Sequence, residues 1–207
     1  PLPAGAIARF GSGAGEVGSA LAVAPGAKRW VTADSLDDIC LWSAATGLLE
    51  RCIPEIKAAP DTASSVIAIT FTDGGAKLAV MTYEELFLVD VARGSLEVRV
   101  ALASDSDQES RYSRYESSFR AHSMAVSPAG DRIAVGVCSE RTAGVVRLYD
   151  ASGKRLATHE VPPNDSDSEV CADAVAFSHS GKLLAASRRN LVLVWDGKGE
   201  LVGHVDT

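Results

Sequence analysis

Three groups of residues in this chain are of types that do chemistry elsewhere. Gly13-Ala14-Gly15-Glu16-Val17-Gly18 has the Gly-x-Gly-x-x-Gly spacing that lets a backbone approach a pyrophosphate. A dinucleotide loop must open a helix directly after it. Here Pro25-Gly26 stops the following segment after only six residues, so the stretch reads as a connecting loop. Asn164-Asp165-Ser166-Asp167-Ser168-Glu169 alternates oxygen-bearing side chains, but it lacks the glycine and the distal bidentate glutamate of a calcium loop. It reads as a solvated acidic turn. The histidines are His122, His159, His179 and His204. No two stand at ligand spacing, and none has a nucleophile and an acid in a recognised order. No catalytic residue, no metal site and no cofactor are therefore expected.

The cysteines are Cys40, Cys52, Cys138 and Cys171. None form a Cys-x-x-Cys pair, and three sit inside apolar, strand-like runs. They read as small, buried, reduced core residues rather than as a disulfide framework or a zinc site.

Residues 103–120 carry a different chemistry. After an acidic start, Arg111, Tyr112, Arg114, Tyr115, Phe119 and Arg120 follow in close order. Aromatic residues and arginines are the types that anchor protein interfaces, which makes these six the candidate partner-binding residues. The competing reading is a mobile polar insertion, since loop length alone is a weak sign of function.

The elements that must position such a loop are short strands. The run Leu191-Val192-Leu193-Val194-Trp195-Asp196 is β-branched and aromatic, and it ends abruptly at Gly197-Lys198-Gly199. Ile39-Cys40-Leu41-Trp42-Ser43, Leu86-Phe87-Leu88-Val89-Asp90 and Val146-Arg147-Leu148-Tyr149-Asp150 repeat its pattern. The large residues at positions 42, 89, 149 and 195 are therefore spaced 47, 60 and 46 apart. Around each lie four short apolar segments separated by Pro, Gly, Asp and Ser turns. A period near 45, with one insertion, is what four-stranded propeller blades give. Helical periodicity is nearly absent. The expected units are residues 1–18 as a lead-in loop with a possible outer strand, then blades at about 19–57, 65–102, 121–161 and 171–205.

The repeats resemble WD-repeat blades. The residues that carry the resemblance are Ala176-Phe177-Ser178, Ser180-Gly181-Lys182-Leu183-Leu184-Ala185 and Val192-Leu193-Val194-Trp195-Asp196. The third unit matches through Ala125-Val126-Ser127-Pro128, Gly130-Asp131-Arg132-Ile133-Ala134 and Val146-Arg147-Leu148-Tyr149-Asp150. The first two units are degenerate. The opening Leu2-Pro3 to Gly11 resembles the lead-in to bacterial WD-repeat regions. The resemblance implies an all-β fold, a β-propeller of four-stranded antiparallel blades with about four present. The family's hydrogen-bonded set of His, Ser or Thr, Asp and Trp is incomplete in every unit, so apolar packing between sheets must carry more of the load.

Gly203-His204 resembles the start of another blade, and residues 7–10 an outer strand without its inner partners. The expectation is about half of a larger propeller, completed by another chain, a symmetry mate or further residues. Its composition is 46% hydrophobic and 23% charged over 207 residues, which suits a globular chain with a core. A net charge of −7 argues against nucleic acid, which needs a basic footprint, and gives no support to an anionic membrane surface. No run approaches the ~20 apolar residues that span a bilayer, and no secretory leader is recognisable, so the expected location is cytoplasmic. The expected function is a non-catalytic scaffold or sensor module whose rim loops meet a protein partner. The alternative is a ligand or enzymatic site in the central channel, with Ser19, Ser65, His122 and Asp173 at the mouths of the inner strands.

Overall fold

The computed structural model describes residues 20–33, 39–53, 66–102, 119–139, 143–162 and 170–206. Among these there are sixteen strands and two single 3-10 turns. The first sheet holds β1 (Ala20–Val23), β2 (Arg29–Ala33), β3 (Ile39–Ser43) and β4 (Leu49–Ile53). The second holds β5 (Ala68–Thr72), β6 (Lys77–Met81), β7 (Glu85–Asp90) and β8 (Ser95–Ala101). The third holds β9 (Phe119–Val126), β10 (Arg132–Ser139), β11 (Gly144–Asp150) and β12 (Arg155–Val161). The fourth holds β13 (Ala174–Phe177), β14 (Leu183–Arg188), β15 (Leu191–Asp196) and β16 (Leu201–Asp206). Within each sheet the strands pair antiparallel in chain order.

The turns explain this regularity. The β1–β2, β5–β6, β9–β10 and β13–β14 connections each carry a glycine in the left-handed region, at Gly26, Gly74, Gly130 and Gly181. The four hairpins that close each sheet do the same with Gly47, Gly94, Gly153 and Gly199. An aspartate at the end of the third strand caps the hairpin in three sheets. Asp90 accepts the Arg93 N–H at 2.6 Å, Asp150 the Ser152 and Lys154 N–H groups at 2.8 and 3.0 Å, and Asp196 the Lys198 and Glu200 N–H groups at 2.8 and 3.0 Å. The Ser152 hydroxyl, which donates to Asp150 at 2.6 Å, acts first at Asp150, and the backbone bonds act first at Asp196. Both favour the charged carboxylate and hold these groups below the ordinary aspartate pKa. One bulge recurs between the third and fourth strands of every sheet, next to Trp42, Val89, Tyr149 and Trp195. The extra residue bends the outer strand and increases the local twist.

The sheets stack face to face in chain order. One core joins sheets one and two through Val31, Leu41, Phe71, Leu78 and Phe87. A second joins sheets two and three through Met81, Leu88, Ile133, Val135 and Tyr149. A third joins sheets three and four through Ala134, Val146, Leu184, Leu193 and Trp195. Among the described residues no buried core joins sheet four back to sheet one. Polar ties reinforce each seam. Arg51 donates to the carbonyls of Val91 and Ala92 at 2.6 and 2.5 Å. The Asp73 N–H donates to the Gly130 carbonyl at 3.2 Å. The Arg147 guanidinium donates to the Leu102 carbonyl, and Arg132 to that of Gly181.

The cysteines correct the reading of four reduced thiols. Cys40 and Cys52 form a disulfide, as do Cys138 and Cys171. The first pair stands directly opposite across β3 and β4, because the hairpin around Gly47 folds residue 40 onto residue 52. The second links β10 of sheet three to the segment that enters sheet four. Register and sheet stacking, not sequence proximity, bring the sulfurs together.

The second bridge closes a 33-residue separation and the first a 12-residue one, so the chain-entropy model gives the second more stabilisation. Replacing Cys138 and Cys171 together by serine is expected to cost about 4 kcal/mol, and the Cys40/Cys52 pair about 3 kcal/mol. Urea unfolding of each variant checks the order. A second expectation concerns Gly130, whose φ is +74° and where a Cβ would lie 2.4 Å from the Asp73 nitrogen. Gly130→Ala should destabilise by about 1–3 kcal/mol by strain and by breaking the seam between sheets two and three. Gly26→Ala, with nothing within 4 Å of its Cβ, should cost less in the same melting assay.

Candidate functional site

Strand direction sorts the connections onto two rims. The described ends of the crossovers between sheets lie on one rim, with the turns between second and third strands at 82–84 and 189–190. The glycine turns lie on the other. The crossovers are pinned where they are described. The Leu102 N–H donates to the Glu84 carbonyl at 2.7 Å, and the Ala121 N–H to that of Tyr83 at 2.8 Å. The loop after residue 102 thus leaves and returns beside the 82–84 turn, which Thr82 closes by accepting the Glu85 N–H at 3.1 Å. Tyr83 itself is exposed. At the next seam the Ser123 hydroxyl donates to the Ala172 carbonyl at 2.9 Å, and Arg188 donates to that of Pro162 at 3.0 Å.

Two mouth residues meet there. His122 Nδ1 lies 3.3 Å from the Asp173 carbonyl oxygen, and an Asp173 carboxylate oxygen accepts the Arg189 N–H at 2.8 Å. His122 and Asp173 therefore make backbone contacts that fix the rim, rather than a proton relay between their side chains. Ser19 and Ser65 lie outside the described residues. Of the six candidate partner-binding residues, Arg111, Tyr112, Arg114 and Tyr115 also lie outside them. The Phe119 backbone opens β9, opposite Ser139, and Arg120 is exposed on the same strand, opposite Cys138. The Gly13–Gly18 motif and the acidic stretch 164–169 fall outside the described residues as well. Among those described, no three His, Cys, Asp or Glu residues cluster as a metal site would require.

The opposite rim holds a feature that sequence reasoning missed. A cavity of about 210 Å³ lies between sheets three and four, lined among others by Arg132, His159, Phe177, Lys182 and Lys198. The Arg132 guanidinium sits 5.3 Å from the centre of the Phe177 ring, and His159 stacks on Trp195 at 5.0 Å. Burial depresses the His159 pKa, because desolvation disfavours the imidazolium. The signal that pointed here was the run of basic residues in the glycine turns, but each looked like an isolated surface charge. Among the described residues the lining has no serine, threonine or cysteine.

His159 has a consequence for stability. Its folded pKa lies below the unfolded value near 6.5, so the folded chain binds fewer protons. Stability should be unaffected above that value and should fall as the pH drops below it, until the folded pKa is reached. Melting midpoints between about pH 7.5 and 5 check this, and His159→Phe should flatten the decline.

No protein-family model and no curated protein matches the chain. A solved structure does: the β-propeller domain of Cps50 (Swd1) from Myceliophteria thermophila, with a TM-score of 0.61 and 15% identity. The match covers 86% of this chain and 51% of that one, so the chain spans about half the length of the propeller it matches. At this identity the likeness is one of fold: the chain is built as a β-propeller of WD-repeat-like blades, four of them described.

Proposed function

We propose that the chain is a non-catalytic interaction scaffold whose crossover rim meets a protein partner. The observation that carries this reading is the pinned crossover rim. Its longest loop, 103–118, departs and returns on hydrogen bonds from Leu102 and Ala121 to the rigid 82–84 turn. A loop held at both ends on a rigid sheet suits presentation to a partner, because less ordering cost remains to be met on binding. Arg111, Tyr112, Arg114, Tyr115, Phe119 and Arg120 are the proposed contacts. The blades are proposed to run at about 19–57, 65–102, 121–161 and 171–205, after a lead-in at 1–18. The −7 net charge supports a protein partner over nucleic acid or an anionic membrane.

The two disulfides support an oxidising compartment rather than the cytoplasm that the sequence suggested, since structural disulfides persist where thiols are not kept reduced. Among the described residues no helix is long and apolar enough to cross a membrane.

The test replaces Tyr112, Tyr115 and Phe119 by alanine together. Binding to the partner recovered by crosslinking in the native source should fall at least tenfold, with the melting midpoint unchanged. Unaltered binding would remove the loop from the interface.

A further inference from the structure

The third seam is left open at a place where the other two are filled. Ala157 of β12 pairs with Leu148, the last residue of β11 before the bulge. Arg51 and Val98 hold the same position in sheets one and two, opposite Leu41 and Leu88. The Arg51 guanidinium reaches across its seam to the carbonyls of Val91 and Ala92. Val98 presses on the closing hairpin of sheet three, where a Cβ on Gly153 would lie 2.6 Å from its Cγ1. Ala157 ends at its Cβ. The space that a longer side chain fills in the other seams remains as the cavity of about 210 Å³.

That cavity has apolar walls and a cationic rim. Leu148, Phe177 and Leu184 line it, and Leu156 and Leu183 beside them are 48% and 41% exposed. Its cations are Arg132, Lys182 and Lys198, against one carboxylate, Asp196. That carboxylate is occupied by its own hairpin, where it accepts the Lys198 and Glu200 N–H groups. Arg132 is positioned by the Phe177 ring and by its bond to the Gly181 carbonyl. Lys182 and Lys198 are exposed, and among the described residues neither makes a salt bridge. Three cations on one rim run against the −7 charge of the whole chain. Every strand end that leads to residues outside those described lies on the opposite rim. The cavity belongs to an internal seam, so it does not depend on what covers the outer faces of sheets one and four.

We propose that this cavity takes one aromatic or leucine-sized side chain of an acidic peptide segment on a partner protein, whose flanking carboxylates meet Arg132, Lys182 and Lys198. The size selects a side chain over a metabolite, because pockets for drug-sized ligands begin at roughly 300 Å³. A large apolar anchor in a pocket, ringed by weaker contacts, is how interfaces concentrate their binding energy. The rim cations select among such anchors by charge, rejecting basic segments and drawing in acidic ones. This contact is separate from the crossover rim, which lies at the other end of the strands.

The experiment titrates three end-blocked peptides into the isotope-labelled 207-residue chain and follows the backbone amides by NMR. Asp-Glu-Phe-Asp-Glu is expected to bind with a Kd on the order of 100 μM. It should move the amides of residues 156–159, 182–184 and 196–199. Asp-Glu-Gly-Asp-Glu and Lys-Lys-Phe-Lys-Lys should each bind about tenfold more weakly or worse. Equal binding of either, or no shifts with any of the three, overturns the proposal. Inorganic phosphate at the same concentration should not displace the first peptide. Displacement would mark a simple anion site and overturns the proposal as well. Ala157→Leu fills the cavity and should abolish binding with the melting midpoint kept or raised, and undiminished binding overturns the assignment. Lys182→Glu with Lys198→Glu should weaken the acidic peptide about tenfold and leave the midpoint unchanged. The peptide comparison needs no substitution, so it decides the matter even where a variant misfolds. Alanine at Tyr112, Tyr115 and Phe119 should leave peptide binding intact, so that failure of either reading is told apart from failure of the other.

Discussion

Everything in this molecule depends on sheets that are apolar on two sides. The second sheet shows it most plainly. Leu78, Ala79, Val80 and Met81 are consecutive along β6, and all four are 0% exposed. Consecutive residues of a strand point to opposite faces, so both faces are covered. The run Leu86–Val89 in β7 behaves in the same way. An antiparallel sheet with one wet face would alternate apolar and polar residues instead. A sheet of this composition has no stable solution on its own, and it holds its neighbours in place as much as they hold it.

The first and last sheets show the same constraint from the other side. Along β1 exposure alternates, with Ala20 and Ala22 packed and Leu21 and Val23 outward. Along β16 five of six residues are exposed. Yet many of the outward residues are apolar, among them Leu21, Val23, Leu201, Val202 and Val205. The sequence of these end sheets is therefore written for two covered faces. That mismatch between composition and exposure is the physical sense in which four sheets form an arc. Exposed apolar residues gathered on one sheet face are the kind of surface that meets another protein.

Much of this was legible in the residues. Gly26, Gly74, Gly130 and Gly181 mark the first turn of each sheet, and the aspartates at 90, 150 and 196 mark the last. Together with the recurring large residue at 42, 89, 149 and 195, they reveal the four-strand unit, because turn chemistry and strand propensity are local. The weakened WD-type polar set also showed, although one link survives: the Trp42 indole donates to the Thr32 hydroxyl at 3.1 Å. What was not legible is non-local. Cys40 and Cys52 are symmetric about the Gly47 turn, a signal that the hairpin register would have decoded. Cys138 and Cys171 belong to different sheets, and nothing in their spacing announces it. The arginine ties escaped for the same reason. Arg51, Arg132, Arg147 and Arg188 look like surface charges, and their carbonyl partners emerge only when sheets stack. The basic cavity against Trp195 likewise draws its lining from two sheets. The rim candidates at 111–115 lie outside the described residues, so their place in the site rests on sequence alone.

The arginines also show how a degenerate repeat can keep its geometry. Apolar stacking is non-directional and sets only how close two sheets come. A guanidinium that donates across a seam to a particular carbonyl fixes how far one sheet slides along the other. Charge-assisted bonds of this kind are about twice as strong as neutral ones. Arg51 does this between sheets one and two, Arg147 between two and three, and Arg132 with Arg188 between three and four. In each case the acceptor is backbone, which substitution of a neighbouring side chain does not remove. The fold thus replaces a hydrogen-bonded set within each blade by bonds between blades. The angle between successive sheets then depends on the seams themselves.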